Sequence, residues 1–300
     1  MSLKNNILIV GGTGFIGYHL AKKSLKKGWQ VTSISSRLPR KKRYLPKVKY
    51  ILCDITKKKS LKKNIQKPFN YVVNLGGYVD HSNKKKTFES HYIGCKNLTE
   101  IFLKKTPIAF VQMGSSAEYG NVKSPQKENA KCNPKSVYGQ AKLLSSIYLI
   151  DLFKKQKFPS TILRLYNTYG PRQDLNRFIP IVISGCIKNK KFPCSKGNQL
   201  RDFLHIDDVV DAILKSLTNK NAKGQIINIG SGKPRIIKNI IEYIKKILKG
   251  GYPLFGKVKL RKDEILKVYP DINKAKNKIN WRPKISFKKG LKMTIDLYKQ

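Results

Sequence analysis

Tyr138 and Lys142 form a candidate catalytic pair, because they stand four residues apart in a stretch, Ser136–Lys155, whose pattern predicts a helix. Residues at this spacing share one helix face, so the Lys142 ammonium would lie beside the Tyr138 phenol. A free tyrosine has a pKa of about 10, and a nearby ammonium stabilises the phenolate and makes the group useful for proton transfer. The same spacing often arises by chance in a chain rich in both residues, so the pair needs support from its surroundings.

That support comes from a hydroxyl pair at the end of a predicted strand. The apolar run Ile108–Met113 is followed by Gly114, Ser115 and Ser116. Open parallel sheets bind their ligands at the carboxyl ends of their strands, which is where this pair would lie. The sequence therefore predicts that Tyr138 and Lys142 act beside this hydroxyl pair.

A glycine-rich turn near the N-terminus predicts a dinucleotide site. It joins the apolar run Asn6–Val10 to an amphipathic stretch over Tyr18–Lys27. Its glycines would allow a tight turn, a close approach of the main chain to a pyrophosphate, and close packing of helix on strand. The helix N-terminus would add partial positive charge beside the phosphates. The predicted cofactor contacts in the turn are Gly11, Gly12, Thr13, Gly14, Phe15, Ile16 and Gly17.

The residues after the second apolar run, Trp29–Ile34, indicate which cofactor binds. NAD-selective sites usually carry an acid there, but residues 29–53 contain none, and Ser35, Ser36, Arg37 and Arg40 stand there instead. These side chains suit a 2′-phosphate, so NADP(H) is favoured and NAD(H) is the alternative. The alternative interpretation is that Arg37 and Arg40 belong to a generally basic surface.

The ends of the third and fourth predicted strands complete the expected cofactor site. Asp54 either accepts a hydrogen bond from the adenine amino group or caps the following helix. The other cofactor contacts predicted at these strand ends are Ile55, Leu75, Gly76 and Gly77.

The charge of the chain raises a different hypothesis. Its 300 residues include 63 Lys and Arg against 17 Asp and Glu, a formal net charge of +46. Neutralisation of phosphates by basic side chains drives nucleic-acid binding. The lysine runs are scattered along the chain, however, Lys far exceeds Arg, and no helix-turn-helix, zinc-finger or RNA-recognition signature accompanies them. A solvated basic surface is therefore favoured over a nucleic-acid partner.

Composition excludes several classes of protein. With 40% hydrophobic residues, the chain can build a core, so it is not disordered. No run approaches the roughly 18 apolar residues of a membrane span, and the first residues lack a signal-peptide cleavage site. The 5 cysteines are odd in number and lack metal-ligand spacing. We expect a cytoplasmic protein with free thiols, no metal site and no membrane partner.

The elements that must position these residues alternate between strands and helices. Strands are predicted at Asn6–Val10, Trp29–Ile34, Val48–Leu52, Tyr71–Leu75, Ile108–Met113, Thr161–Leu165 and Gln225–Ile229. This alternation is typical of an α/β fold with a doubly wound parallel sheet, the Rossmann fold. We expect a dinucleotide-binding domain over 1–170, continued by 201–232. A smaller, mostly C-terminal substrate-binding lobe would lie within 171–300, mainly in 171–200 and 233–300.

Seven motifs together resemble those of the extended short-chain dehydrogenases/reductases, in the NAD(P)-dependent sugar-nucleotide epimerase/dehydratase branch. The resemblance covers essentially the whole chain. The matching segments are Gly11–Gly17, Ser115–Gly120, Tyr138 with Lys142, Leu163–Arg172, Arg201–Asp208, Asn228–Gly232 and Trp281–Pro283.

The resemblance implies roles for individual residues. Ser115 would hydrogen-bond the reacting oxygen, Tyr138 would be the acid/base, and Lys142 would bind the nicotinamide ribose and tune Tyr138. The nucleotide diphosphate of the substrate would be held by arginine forks, which match phosphate geometry, and by polar neighbours. The predicted substrate contacts are Ser116, Asn167, Arg177, Arg201 and Arg261. Family members usually dimerise through two helices, here about Phe88–Lys105 and Ser136–Lys155, which implies a homodimer.

The implied activity is NAD(P)-dependent oxidoreduction at a ring carbon, most readily C4, of a nucleotide-activated sugar. The chain would be a 4-keto sugar reductase or a 4-epimerase. Dehydration is disfavoured, because Ser116 and Ala117 replace the Asp-Glu pair of the family's 4,6-dehydratases. His91 also stands where the family usually has a supporting Asn, a change that bears on the packing beside the cofactor. A dinucleotide-binding sensor without activity and a basic RNA-binding protein are the alternatives.

Overall fold

The computed structural model describes residues 5–78, 80, 82–260 and 264–299. The strands are β1 (Asn6–Val10), β2 (Gln30–Ser35), β3 (Val48–Leu52), β4 (Tyr71–Asn74), β5 (Ala109–Ser115), β6 (Ser160–Leu165), β7 (Asn167–Tyr169), β8 (Lys191–Pro193), β9 (Leu200–Arg201), β10 (Phe203–His205), β11 (Gln225–Ile229), β12 (Arg235–Ile236), β13 (Tyr252–Leu254) and β14 (Lys267–Val268). The helices are α1 (Phe15–Lys26), α2 (Lys58–Asn64), α3 (Lys84–Phe88), α4 (Gly94–Leu103), α5 (Val137–Gln156), α6 (Phe178–Ile187), α7 (Ile206–Thr218), α8 (Ile237–Leu248), α9 (Asn273–Ile279) and α10 (Phe287–Tyr298).

A parallel sheet organises the larger part of the molecule. Its strand order, β3-β2-β1-β4-β5-β6-β11, confirms the predicted doubly wound arrangement. The chain moves outward from β1 to β3 and then returns to place β4 on the other side of β1. Strand order therefore reverses between β1 and β4, where sheets of this kind open a crevice for ligands.

Helices cover both faces of this sheet, which explains why its strands are almost continuously apolar. Alternate residues of β1 enter separate cores, Ile7 and Ile9 on one side and Leu8 and Val10 on the other. Helices α1 and α7 pack on the first side, and α2, α4 and α5 pack on the second. A third core joins α6, α8 and α10 beside the carboxyl end of the sheet.

Two observed boundaries differ from the predicted ones and bear on the site. Helix α1 begins at Phe15 rather than Tyr18. It therefore starts inside the glycine segment, and Gly17 lies in its first turn. Strand β5 runs on to Ser115, because Gly114 and Ser115 still pair with β6. Ser115 is thus held by the sheet itself rather than by a following loop. Among the described helices, none combines the length and apolar character needed to cross a bilayer.

Candidate active site

Helix α5 carries Tyr138 in its first turn and Lys142 in the next. Ser136 caps the helix, its Oγ accepting a hydrogen bond from the Gly139 N–H at 3.1 Å. A Cβ on Gly139 would lie 2.5 Å from the Ala117 carbonyl oxygen, so this glycine lets α5 pack directly on the turn after β5. The cap and the close approach together fix Tyr138 over the end of β5.

Ser115, the last residue of β5, contacts Tyr138 through its side chain. The two side chains are hydrogen-bonded, and the Ser115 Oγ also accepts from the Ala117 N–H at 3.2 Å. Ser116 is half-buried in the same turn. The hydroxyl and the phenol therefore meet at the sheet edge where the sequence predicts them, half-buried rather than sealed from solvent.

Lys142 is buried beneath this pair. It is only 4% exposed, and its Nζ lies 5.9 Å from the centre of the Tyr138 ring. The ammonium donates a hydrogen bond to the Met113 carbonyl oxygen at 2.7 Å. Burial lowers the pKa of Lys142 to about 8, while Glu118 and Cys95 act in the opposite direction. The lysine is thus a cation at neutral pH that needs only a small rise in pH to lose its proton.

The pKa of Tyr138 is raised above its ordinary value. Burial is the main cause, and the Glu118 carboxylate adds to it. The hydrogen bond with Ser115 and the charge of Arg177 act in the opposite direction. Without ligands, Tyr138 is therefore a neutral phenol at pH 7 and is set up to donate its proton.

His91 packs edge-on against Tyr138, with 5.0 Å between the ring centres. It lies in a π-helical turn, Glu89–Ile93, between α3 and α4, and its Nε2 is 3.3 Å from the Tyr78 carbonyl oxygen. Gly77 leaves room for this ring, since a Cβ there would come within 1.8 Å of it. The sequence marked His91 as a departure from the family, but it carried no signal of this contact.

The glycine turn has the shape that a dinucleotide requires. Gly11 has a φ of +77°, and a Cβ there would lie 3.0 Å from the Leu75 main chain. A Cβ on Gly17 would come within 2.5 Å of the Gly11 carbonyl, so helix and strand can pack only on a glycine. Helix α1 starts after Gly14 with no side-chain cap and no acid in its first turn. Its first N–H groups are therefore available to an anion, and the turn fits a bound pyrophosphate.

Ser35 connects the glycine turn to the end of β2. Its Oγ accepts a hydrogen bond from the Thr13 N–H at 3.4 Å, and Ser36 and Arg37 follow it in exposed positions. Arg40 is also exposed, but its guanidinium is 3.2 Å from the Asp174 carboxylate. Arg37 is thus better placed than Arg40, which already pairs with the Asp174 carboxylate, to bind another anion.

The predicted residues at the ends of β3 and β4 lie close to the glycine turn. Ile55 is buried, and Gly76 packs against it and Val10. Asp54 is exposed and does not cap a helix, because α2 begins at Lys58 with Lys57 as its N-cap. The Asp54 carboxylate instead accepts hydrogen bonds from the main chain and hydroxyl of Thr56, both at 2.9 Å.

A cavity of about 450 Å³ lies beside β7 and includes Asn167 and Arg201 in its wall. The rest of the wall is largely aromatic and aliphatic, with Phe178, Phe192 and Phe203 among its side chains. Arg201 forms an ion pair with Glu264 in the cavity wall. Arg177 is exposed at the N-terminus of α6, and its charge reaches Tyr138. Arg261 lies outside the described residues.

Comparison with known proteins identifies the family of the chain. The family model for the NAD-dependent epimerase/dehydratase family matches residues 7–230. A putative UDP-glucose 4-epimerase from Methanocaldococcus jannaschii is 30% identical over 98% of this chain and 98% of its own length. A UDP-N-acetyl-alpha-D-glucosaminuronate decarboxylase from Bacillus cytotoxicus is 27% identical over 99% of both chains.

Solved structures show the same fold. The UDP-glucose 4-epimerase of Thermotoga maritima, determined with UDP-glucose, superposes with a TM-score of 0.92 at 26% identity and covers 98% of both chains. An epimerase from Methanothermobacter thermautotrophicus gives a TM-score of 0.92 at 20% identity, over 99% of this chain and 92% of the other. The chain therefore belongs to the NAD-dependent epimerase/dehydratase family, in the extended branch of the short-chain dehydrogenases/reductases, as its motifs predict.

Proposed function

We propose that this protein catalyses NAD(P)-dependent oxidoreduction at a ring carbon, most readily C4, of a nucleotide-activated sugar. It would act as a 4-keto sugar reductase or as a 4-epimerase, with Tyr138 as the acid/base. The observation that carries the proposal is the meeting of Ser115, Tyr138 and Lys142 at the carboxyl end of β5. Relatives named as UDP-sugar epimerases and decarboxylases support the same substrate class.

Each of the three side chains has a defined task in such a reaction. The nicotinamide ring, when bound, supplies or accepts the hydride. Ser115 donates a hydrogen bond to the sugar oxygen, and Tyr138 passes a proton to that oxygen during reduction or removes it during oxidation. The Lys142 ammonium stabilises the phenolate that Tyr138 becomes and contacts the nicotinamide ribose. Burial raises the pKa of Tyr138, so the phenol is the form that can donate a proton to the sugar oxygen.

The cavity beside β7 suits the nucleotide end of the substrate. Its aromatic and aliphatic wall matches a nucleobase, and Arg201 with Asn167 matches phosphate oxygens. Arg177 supplies a further cation on the side of Tyr138. We accordingly assign substrate binding mainly to residues 171–200 and 233–300, with Ser116 contacting the sugar.

NADP(H) is the cofactor that the end of β2 suits better. The strand ends in Ser35, Ser36 and Arg37, which offer two hydroxyls and a cation where NAD-selective sites carry an acid. Structures of related proteins named as complexes contain NAD, so NAD(H) is the alternative that must be measured beside it.

A homodimer through α4 and α5 is consistent with the surface of these helices. Leu144 is 39% exposed and Ile147 is 56% exposed on one side of α5. Large apolar side chains clustered on a helix surface commonly mark a protein interface.

The decisive experiment combines the purified protein with NADPH or NADH and with UDP-, GDP-, CDP- and dTDP-sugars, in both the 4-keto and 4-hydroxy forms. A reductase consumes the reduced cofactor in step with product, whereas an epimerase interconverts two sugars without net consumption. Nicotinamide absorbance and a mass gain of two hydrogens identify the reductase, and proton NMR identifies the epimerase, whose product has the same mass as its substrate. Cofactor binding with no turnover of any sugar would favour the sensor. Salt-dependent retention on heparin without any nucleotide-induced thermal shift would favour RNA binding.

A further inference from the structure

Glu118 is a fully buried carboxylate at the base of the catalytic group. Its side chain is 0% exposed, and both oxygens are hydrogen-bonded. Oε1 accepts from the Ser115 main-chain N–H at 2.8 Å, and Oε2 accepts from the Ser146 hydroxyl and from Arg164 Nε, each at 2.8 Å. The carboxylate therefore joins the end of β5, helix α5 and strand β6 at one point.

Glu118 forms a buried ion pair with Arg164, with 2.8 Å between Oε2 and Nε. Arg164 is only 2% exposed, and its guanidinium lies 4.5 Å from the centre of the Tyr119 ring. Burial disfavours the arginine cation, but Glu118 and Tyr119 outweigh burial and raise the pKa of Arg164. A buried ion pair of this kind often contributes little to stability compared with apolar residues of similar volume. Stability alone therefore does not account for the buried charges.

The contact of Glu118 with Ser115 fixes the main chain at the reacting edge. Ser115 Oγ and the Glu118 carboxylate together form a capping box around the turn 116–118. Gly114 makes the contact possible, since a Cβ at that position would lie 2.6 Å from Glu118 Oε1. The direction of the Ser115 hydroxyl therefore depends on the position of this carboxylate.

The charge of Glu118 also reaches the two titrating catalytic groups. It acts on Lys142 and on Tyr138 from the turn beneath them. Other titratable and charged groups also face this region. They are Arg164 on β6, Cys95 on α4, Cys132 in the loop before α5, His91 in the π-helical turn and Arg177 at the N-terminus of α6. Glu118 differs from these groups in that it is an acid hydrogen-bonded directly to the end of β5.

We propose that Glu118 is a positioning residue for the reaction. It holds the Ser115 main chain in place and sets its carboxylate in the turn beneath Lys142 and Tyr138. The inference rests on the proposed function only in that Ser115, Tyr138 and Lys142 are the reacting group. Glu118 itself does not touch substrate or cofactor.

The test compares Glu118→Gln with the double variant Glu118→Gln/Arg164→Gln. The single variant leaves Arg164 buried without its partner and is expected to fold poorly. The double variant removes both charges and keeps amide groups that can still hydrogen-bond. Ser146→Ala is the matched control, because it deletes a hydrogen bond to the same carboxylate without changing any charge.

The first readout is the affinity for NADPH or NADH between pH 6 and pH 10, followed by nicotinamide fluorescence. Affinity falls as Lys142 loses its proton, with a midpoint near pH 8 in the parent protein. The single variant, where it folds, should shift that midpoint to lower pH by about half a unit to one unit, because the anion that favours the ammonium is gone. The double variant also removes the Arg164 cation, so its midpoint should shift less. Ser146→Ala should leave the midpoint where it is.

The second readout is turnover with whichever sugar the parent protein accepts. The double variant should lose about tenfold to a hundredfold in kcat, because Ser115 is less well placed. An unchanged kcat in a folded double variant would overturn the inference and leave Glu118 a purely structural residue. If no sugar is turned over by the parent protein, the proposed function fails, while the cofactor midpoint still tests the role of Glu118.

Discussion

Lys142 Nζ and the Met113 carbonyl oxygen are joined by a 2.7 Å hydrogen bond inside the protein. This bond ties the second turn of α5 to β5 two residues before Ser115. It satisfies part of the ammonium, but burial still lowers the pKa of Lys142 to about 8. The unfolded chain therefore holds this proton more tightly than the folded protein does. Stability should rise with pH between about 8 and 10.5 on account of this residue.

Replacement of Lys142 by Met should make the protein more stable and inactive. At pH 7 the variant avoids burying an ammonium, so its free energy of unfolding should increase by about 1–3 kcal/mol. Turnover should fall by at least about a hundredfold, because Tyr138 loses the cation that stabilises its phenolate. Urea unfolding at pH 7 and pH 10 measures the first effect, and the difference from the parent protein should shrink at the higher pH.

Lys154→Met is the control for that substitution. Lys154 lies on the same helix but is exposed. Its replacement should change stability by less than about 0.5 kcal/mol at either pH. A Lys142→Met protein that is less stable than the parent at pH 7 would show that the hydrogen bond to Met113 outweighs the cost of burying the charge.

Tyr138→Phe should separate cofactor binding from turnover. The ring and its packing against His91 remain, so affinity for the cofactor should stay within about threefold of the parent value. Loss of the hydroxyl should lower kcat by about two to four orders of magnitude, the usual contribution of a positioned acid/base. Tyr148→Phe on the same helix removes a hydroxyl bonded to Thr99 and should leave kcat nearly unchanged. Comparable activity of Tyr138→Phe and the parent protein would remove Tyr138 from the acid/base role.

Local sequence patterns were enough to predict the parallel sheet and the positions of Tyr138 and Lys142 on one helix. Strand β1 is apolar on both faces. The glycines after it allow a helix to pack closely on the end of the strand. Each element therefore follows from a few neighbouring residues. Tyr138 and Lys142 lie four residues apart in α5 and so share one face of the helix, as their spacing predicts. These features depend on contacts within a short stretch of chain or on a repeating pattern.

The rest of the site depends on partners distant in sequence. The carboxylate of Glu118 meets Arg164, 46 residues away, and the sequence offered no pattern that joins them. Arg40 suited a cofactor phosphate by its position after β2, yet its guanidinium is paired with Asp174, 134 residues away. Pairings of this kind are decided by how elements distant in sequence pack together, which periodicity does not report.

Ile147→Glu should disrupt the proposed homodimer. Ile147 is 56% exposed on α5, and a carboxylate there would be buried without a partner in an interface formed by α4 and α5. Light scattering after size-exclusion chromatography should show the parent protein at twice the mass of one chain and the variant at that mass. Ile187→Glu, on an exposed isoleucine of α6, should leave the parent mass unchanged. A parent protein that already elutes as one chain would refute the dimer.

Arg37→Ala should change the preference between the two cofactors. Arg37 is exposed beside Ser35 and Ser36, where a 2′-phosphate would lie if NADP(H) binds as proposed. A hydrogen bond between charged groups contributes about 1.5–3 kcal/mol, so affinity for NADP⁺ should fall by about tenfold to a hundredfold. NAD⁺ lacks that phosphate, and its affinity should change by less than about threefold. Arg40→Ala is the matched comparison, and it should weaken NADP⁺ binding less, because Asp174 already pairs with Arg40. Equal losses for both cofactors in Arg37→Ala would place Arg37 in the general basic surface and favour NAD(H).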